Sequence, residues 1–234
     1  MTALHYPMTL FGHGEPSVAS GWAPERIELD PCCWVDHAPN FLTGADQLLA
    51  DLEERMDWFR GQRLMYGQWH NEPRRTSTEP LPNQAPPAAI SDIRRELSLH
   101  YDMSFLGLHC NYYETGKDGV TWHADRIGRT EVDPLVAIIS LGGPRTFRMR
   151  PQGGGSSWSI SLESGDLLIM GGATQHHWEH AIPKVANAAP RISVTMRASR
   201  SERGWQPDDE LLGQSRFVRK KLSLIHISEP TRPY

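Results

Sequence analysis

His123 and Asp125 stand two positions apart at the end of the stretch Leu108 to Asp125, so on a strand an imidazole and a carboxylate leave the same face. They supply two ligands of a three-ligand metal site. The third comes from further along, where the apolar run Asp166 to Met170 passes through Gly171-Gly172 into Gln175-His-His-Trp-Glu-His180. His176, His177 and His180 all compete for that position. Two imidazoles and one carboxylate hold one face of a metal and leave the other open, the donor set that suits non-heme Fe(II) and its oxygen chemistry. Arg191 and Arg197 follow six positions apart, again on one strand face, and a planar guanidinium suits a dicarboxylate better than an ammonium does. A lone His-x-Asp is most often an ordinary surface ion pair. The downstream histidines and the two arginines turn it into a site.

Strands must carry these residues, and from Phe105 onward the chain consists of short apolar, β-branched runs separated by glycine turns. The runs predict strands at about 106–113, 120–124, 134–141, 145–150, 157–163, 166–170, 176–181 and 190–197. Eight such strands suit a double-sheet jelly roll with flanking helices, a mainly β fold. Thr43-Gly-Ala-Asp46 has the form of a capping box, and Leu49, Leu52, Met56 and Phe59 follow at helical spacing, which predicts a helix from about 44 to 60. Ser91 is expected to cap a second helix whose buried face is Ile90, Ile93, Leu97 and Tyr101.

The rest of the chain divides around that core. Residues 1–30 are rich in Gly, Pro and polar residues without periodicity and read as an N-terminal arm. Residues 31–200 form one domain, with the jelly-roll core at about 105–198. The stretch 63–87 has no period and reads as a functional loop. Leu222 to Tyr234 resembles the translation of a transposon-end sequencing adapter and is set aside from the fold.

At 234 residues the chain suffices for one domain with a substantial core. A formal charge of -4 argues against a protein that coats nucleic acid non-specifically. A local excess of three positive charges arises where Arg126, Arg129, Arg145, Arg148 and Arg150 outnumber Glu131 and Asp133. It reads either as a phosphate-contacting face or as a solvated strand face. The three cysteines, Cys32, Cys33 and Cys110, make no secreted disulfide framework, and no membrane-spanning run or leader is visible, so a cytoplasmic monomer is expected. Trp122 and Trp178 flank ligand positions and serve either to keep the metal dry or simply to pack.

Taken in order, Asn111-x-Tyr113, His123-x-Asp125, Ser140-Leu-Gly142, Gly165-Asp-Leu-Leu-Ile-Met-Gly-Gly172, Trp178-x-His180 and Arg191-Ile-Ser-Val-Thr-Met-Arg197 resemble the AlkB family of Fe(II)/2-oxoglutarate-dependent dioxygenases, of the bacterial alkylated-DNA repair type. The resemblance implies a double-stranded β-helix and selects His180, so that His123, Asp125 and His180 are the catalytic metal ligands. It implies that Asn111, Tyr113, Arg191, Ser193 and Arg197 hold 2-oxoglutarate. Fe(II), 2-oxoglutarate and O2 are the implied cofactor and co-substrates, with ascorbate as assay reductant. The implied reaction is oxidative dealkylation of nucleobases in DNA, with release of succinate, CO2 and an aldehyde. The alternatives are the same chemistry on RNA, protein or a small metabolite, or a metal-binding module without turnover. In the family the region 63–87 resembles a substrate lid, with Pro73-Arg-Arg-Thr76 matching its motif, so Tyr66, Trp69, Arg74 and Arg126 are the expected substrate contacts.

Overall fold

The structure, a computed structural model, describes residues 14–65, 67–125 and 133–199. The chain opens with strands β1 (Ser17–Val18), β2 (Glu25–Asp30), β3 (Cys33–Ala38) and β4 (Leu42–Thr43), then helix α1 (Ala45–Arg55). Strands β5 (Gln62–Met65), β6 (Gln68–Asn71) and β7 (Arg75–Ser77) precede helix α2 (Ala88–Tyr101). Next come β8 (Ser104–Tyr113), β9 (Val120–His123), β10 (Leu135–Gly142), β11 (Arg145–Pro151) and β12 (Trp158–Leu162). Strand β13 (Leu167–Gly172), a single helical turn α3 (Thr174–His177), β14 (Trp178–Ile182) and β15 (Arg191–Ser199) complete the described chain.

Two sheets face each other. The larger runs β2-β3-β13-β10-β15-β8-β7 and the smaller β12-β11-β14-β9, so the eight strands from β8 onward divide four and four between the sheets, crossing at every step except the β11-β12 hairpin, as in a double-stranded β-helix. Period-two alternation then divides the apolar residues into two layers. On β13, Leu167 and Ile169 pack with Leu48, Leu52, Ile93 and Leu97 of the helices, whereas Leu168 and Met170 pack with Val136, Ile138, Phe147 and Trp178 between the sheets. Each such buried side chain contributes roughly 1.5–3 kcal/mol. On β15, Ile192, Val194 and Met196 join the helix-side layer. Arg191, Ser193, Thr195 and Arg197 therefore occupy the face turned towards the smaller sheet.

Several local expectations are corrected. Helix α1 stops at Arg55, and Phe59 beyond it is 67% exposed rather than buried. Thr43 does not cap α1. Gly44 occupies that place at φ 64°, and the Thr43 hydroxyl pairs with Ser17 instead. Helix α2 starts after Pro87, whose fixed φ suits a helix start, so Ser91 lies inside it. The aperiodic stretch after Gly61 contains a β5-β6 hairpin and the edge strand β7. From Ser17 onward the N-terminal segment adds β1 and β2, the latter at one edge of the larger sheet. Residues 176–181 are not one strand: His176 and His177 close α3 before β14 begins. Tyr66, Arg126, Arg129, Glu131 and the segment 222–234 lie outside the described residues. Among the described residues no helix is long and apolar enough to cross a membrane.

Candidate metal centre

The register of β9 and β14 puts His180 directly opposite His123, and their ring centroids are 4.3 Å apart. Asp125 follows two residues after His123, just past the end of β9. One donor atom each from His123, Asp125 and His180 lie within 4.8 Å of one another, a spacing a single ion can bridge. His176 and His177 are both exposed and take no part in this cluster. The Thr121 carbonyl lies 2.9 Å from Nδ1 of His123 and accepts its proton, which leaves Nε2 as the lone-pair donor. His180 is buried and stacks on Phe147 at 5.3 Å. Burial, reinforced by His123 and Arg197 and opposed by Asp125, pushes its imidazole down to about 4, so it is neutral and ready to ligate at ordinary pH.

Asp125 is held from two sides. Its backbone N–H donates to Oε1 of buried Gln175 at 3.0 Å, and Arg197 Nη2 approaches its Oδ1 at 3.2 Å. Arg197 thus pairs with the carboxylate of this cluster. Gln175 stands on α3 and escapes sequence reasoning, because its position relative to Asp125 depends on a turn between β13 and β14. Its only sequence signal is a polar residue beside a histidine cluster.

In the larger sheet, β8 and β15 pair so that Tyr113 faces Arg191 and Asn111 faces Ser193. Arg191 is fully buried. Its Nε donates to Ser140 Oγ at 3.0 Å, its guanidinium lies 5.4 Å from the Tyr113 ring centre, and Nη1 and Nη2 have no hydrogen-bond partner. Burial lowers this guanidinium to about 10, so it is still charged at neutral pH. A buried cation with two orphaned donors calls for an anion. A carboxylate satisfies a fork of two N–H groups, so the pocket fits one end of a dicarboxylate such as 2-oxoglutarate, and the adjacent three donors fit Fe(II). His109, on the same face of β8 as Asn111 and Tyr113, also borders the pocket. Burial, with Arg197 nearby, lowers its pKa.

The residues expected to meet substrate are dispersed. Arg74, in the connection between β6 and β7, donates through Nε to Asn111 Oδ1 at 2.7 Å, which ties the segment after the β5-β6 hairpin to β8. Trp69 projects from that hairpin, 67% exposed. Arg145 is a correction to the basic-face reading. It is buried and donates to the carbonyls of Asp118 and Pro183 at 2.8 and 2.7 Å, clamping the loop before β9. Arg148 and Arg150 instead cover the Trp122 ring, at 5.6 and 4.2 Å from its centre, and Trp178 packs between the sheets with its indole N–H donated to Asp30.

Residues 63–200 match the family model described as the 2OG-Fe(II) oxygenase superfamily. The chain is 34% identical to alpha-ketoglutarate-dependent dioxygenase alkB homolog 3 of Mus musculus over 210 residues, spanning 78% of this chain and 73% of the mouse protein. The match to the Homo sapiens protein of that name is also 34% identical but covers 56% of this chain and 49% of the human one. DNA oxidative demethylase ALKBH2 of Homo sapiens is 27% identical over 213 residues, 80% of each chain. Among solved structures, OsALKBH1 superposes with a TM-score of 0.51 at 14% identity, covering 74% of this chain and 99% of that one. A 2OG-Fe(II) oxygenase family oxidoreductase from Burkholderia pseudomallei gives 0.50 at 15% identity, covering 71% and 85%. At these identities the two structures speak for the fold.

Proposed function

This chain belongs to the AlkB-type 2OG-Fe(II) oxygenases, and from that premise we propose that it oxidatively removes alkyl groups from nucleobases in DNA. The observation that carries the reading is the orphaned pair of Arg191 nitrogens beside three convergent ligand side chains. The demethylase activity in the name of its relative ALKBH2 supports DNA as substrate. Trp69 supports it too: an exposed indole on a hairpin whose following segment is bonded through Arg74 to Asn111 is suited to stack on a base turned out of its helix.

Fe(II) and 2-oxoglutarate, when bound, supply the oxidising power: with O2, an N-methyl group becomes N-hydroxymethyl while 2-oxoglutarate becomes succinate and CO2, and formaldehyde then leaves the base. The residues of the chain provide position and charge. His123, fixed in one tautomer by Thr121, and neutral His180 would hold two metal positions, and Asp125 a third, steadied by Gln175 and Arg197. Arg191 would grip the distal carboxylate of 2-oxoglutarate, with Tyr113, Asn111 and Ser193 lining its path. Phe147 and the apolar layer behind His180 keep water from that side of the ligands.

Purified chain given Fe(II), ascorbate and 2-oxoglutarate tests this against methylated single- and double-stranded DNA, methylated RNA and a methylated peptide. Mass spectrometry is expected to find restored bases in DNA, with formaldehyde and succinate in equal amounts, and His123→Ala is expected to lose both products. Untouched DNA beside demethylated RNA or peptide would overturn the substrate assignment.

A further inference from the structure

Away from the oxygenase centre, the pairing of β3 with β13 sets Cys33 opposite Gly172, and α3 then carries His177 back over the same corner. Residues far apart in sequence thereby converge. Cys32 Sγ lies 3.7 Å from Cys33 Sγ and 3.5 Å from His177 Nδ1, and Cys33 Sγ lies 3.9 Å from that nitrogen. Asp30 Oδ1 stands 3.3 Å from Cys32 Sγ and is also a neighbour of the Cys33 thiol. Its other oxygen is oriented by the Trp178 indole N–H at 2.6 Å.

These separations have a chemical meaning. A tetrahedral Zn2+ with its usual bond lengths to sulfur and nitrogen holds two sulfurs about 3.8 Å apart and a sulfur and a nitrogen about 3.5 Å apart. The separations of Cys32 Sγ from Cys33 Sγ and from His177 Nδ1, 3.7 and 3.5 Å, fit that outline, and Cys33 Sγ at 3.9 Å from the same nitrogen needs to close by only a few tenths of an ångström. A disulfide fits worse, because Cα atoms of neighbouring residues are about 3.8 Å apart, below the usual range for a bridged pair. Cys32 and His177 are exposed, which gives an ion a way in, while Cys33 is buried against the layer between the sheets.

We propose that Cys32, Cys33, His177 and Asp30 form a second, tetrahedral metal site that takes Zn2+, the ion replacing the two thiol protons. Its occupant would rivet the β2-β3 turn to α3, where the Ala173 N–H already donates to the Cys32 carbonyl at 2.9 Å. Since Gln175 of α3 holds the Asp125 backbone, the ion stiffens the support of the oxygenase centre from behind.

The full chain, reduced and stripped of metal, tests this by titration with Zn2+ against a chromophoric chelator and with Co2+ followed by absorption. About two equivalents of Zn2+ are expected for the natural chain and about one for the variant carrying both His123→Ala and Asp125→Ala, with the thiolate-to-Co(II) charge-transfer band retained. Cys32→Ser and His177→Ala change exposed residues, so their circular dichroism should be unaltered. Each is expected to weaken the second equivalent by at least about 100-fold, since even outer partners of ligands carry about 10- to 100-fold. Zn2+ should also slow iodoacetamide labelling of Cys32. No Zn2+ uptake by the variant carrying both His123→Ala and Asp125→Ala, Co2+ uptake without a charge-transfer band, or a Cys32–Cys33 disulfide in protein purified with Zn2+ would overturn the proposal.

Discussion

Arg191 is the residue at which stability and function pull apart. A fully buried guanidinium with two unpartnered nitrogens costs folding free energy until an anion meets it. Arg191→Met is therefore expected to raise the melting temperature of the cofactor-free chain. It should also raise the KM for 2-oxoglutarate by about 10- to 100-fold, the value of one or two charge-assisted hydrogen bonds. In the natural chain, 2-oxoglutarate should itself raise the melting temperature, and in the variant the same concentration should raise it much less. Gln175→Leu removes the acceptor of the Asp125 N–H without touching a ligand. Iron affinity, read by titration, is expected to fall about 10- to 100-fold with little change in the KM for 2-oxoglutarate. The pairing of His123 with Asp125 was legible because His-x-Asp fixes two donors on one short segment, and the Arg191–Arg197 spacing marked a shared face. The residues alone left His176, His177 and His180 open for the third position, and only the family resemblance selected His180. Gln175, His109 and the Cys32–Cys33–His177 corner were not legible, because each acquires its neighbours only through the register of strands far apart in the chain.

At the scale of elements, legibility followed amphipathicity. Strands β8, β10, β13 and β15 read clearly because alternation or unbroken apolar runs between glycine turns admit few other structures. Strand β6 is exposed at all four positions, and β2 is mostly polar, so neither carries a periodic signal. The apparent cap at Thr43 was a local pattern overruled by pairing of β1 with β4. One turn deserves a test of its own. Gly142 has φ 83°, and a Cβ there would sit 2.4 Å from Leu49 Cδ1 and 2.6 Å from the Pro190 carbonyl oxygen. The side chain could give way, but the backbone oxygen could not. Gly142→Ala is expected to cost roughly 2–4 kcal/mol from the left-handed backbone and the clash together, seen as a lower urea midpoint. Because Gly142 pairs with Arg191, the KM for 2-oxoglutarate should rise as well.

For the molecule as a whole, the buried imidazoles tie folding to acidity. His180 titrates near 4 when folded, against 6.5 when free, and His109 is shifted in the same direction. A lowered histidine pKa means that the unfolded chain takes up the proton first. Stability of the metal-free chain is therefore full above 6.5 and declines as pH falls from there towards about 4. The decline from this source should be roughly 1–3 kcal/mol, measured as urea midpoints at about pH 7.5 and about pH 5. His180→Leu should flatten much of that slope. The double-sheet architecture was readable from the order of its strands, whereas the three additional strands on the larger sheet, β2, β3 and β7, were not, since they join edges that the core motifs do not mark.

Strand β15, the last of the described strands, lies between β10 and β8 in the middle of the larger sheet and carries Arg191. A nascent polypeptide must therefore leave a slot open inside that sheet until β15 itself has been made, with the edges of β10 and β8 exposed to any other chain nearby. A chain stopped before β15 lacks Arg191, so the ability to capture a co-substrate arrives in the same event that seals the sheet.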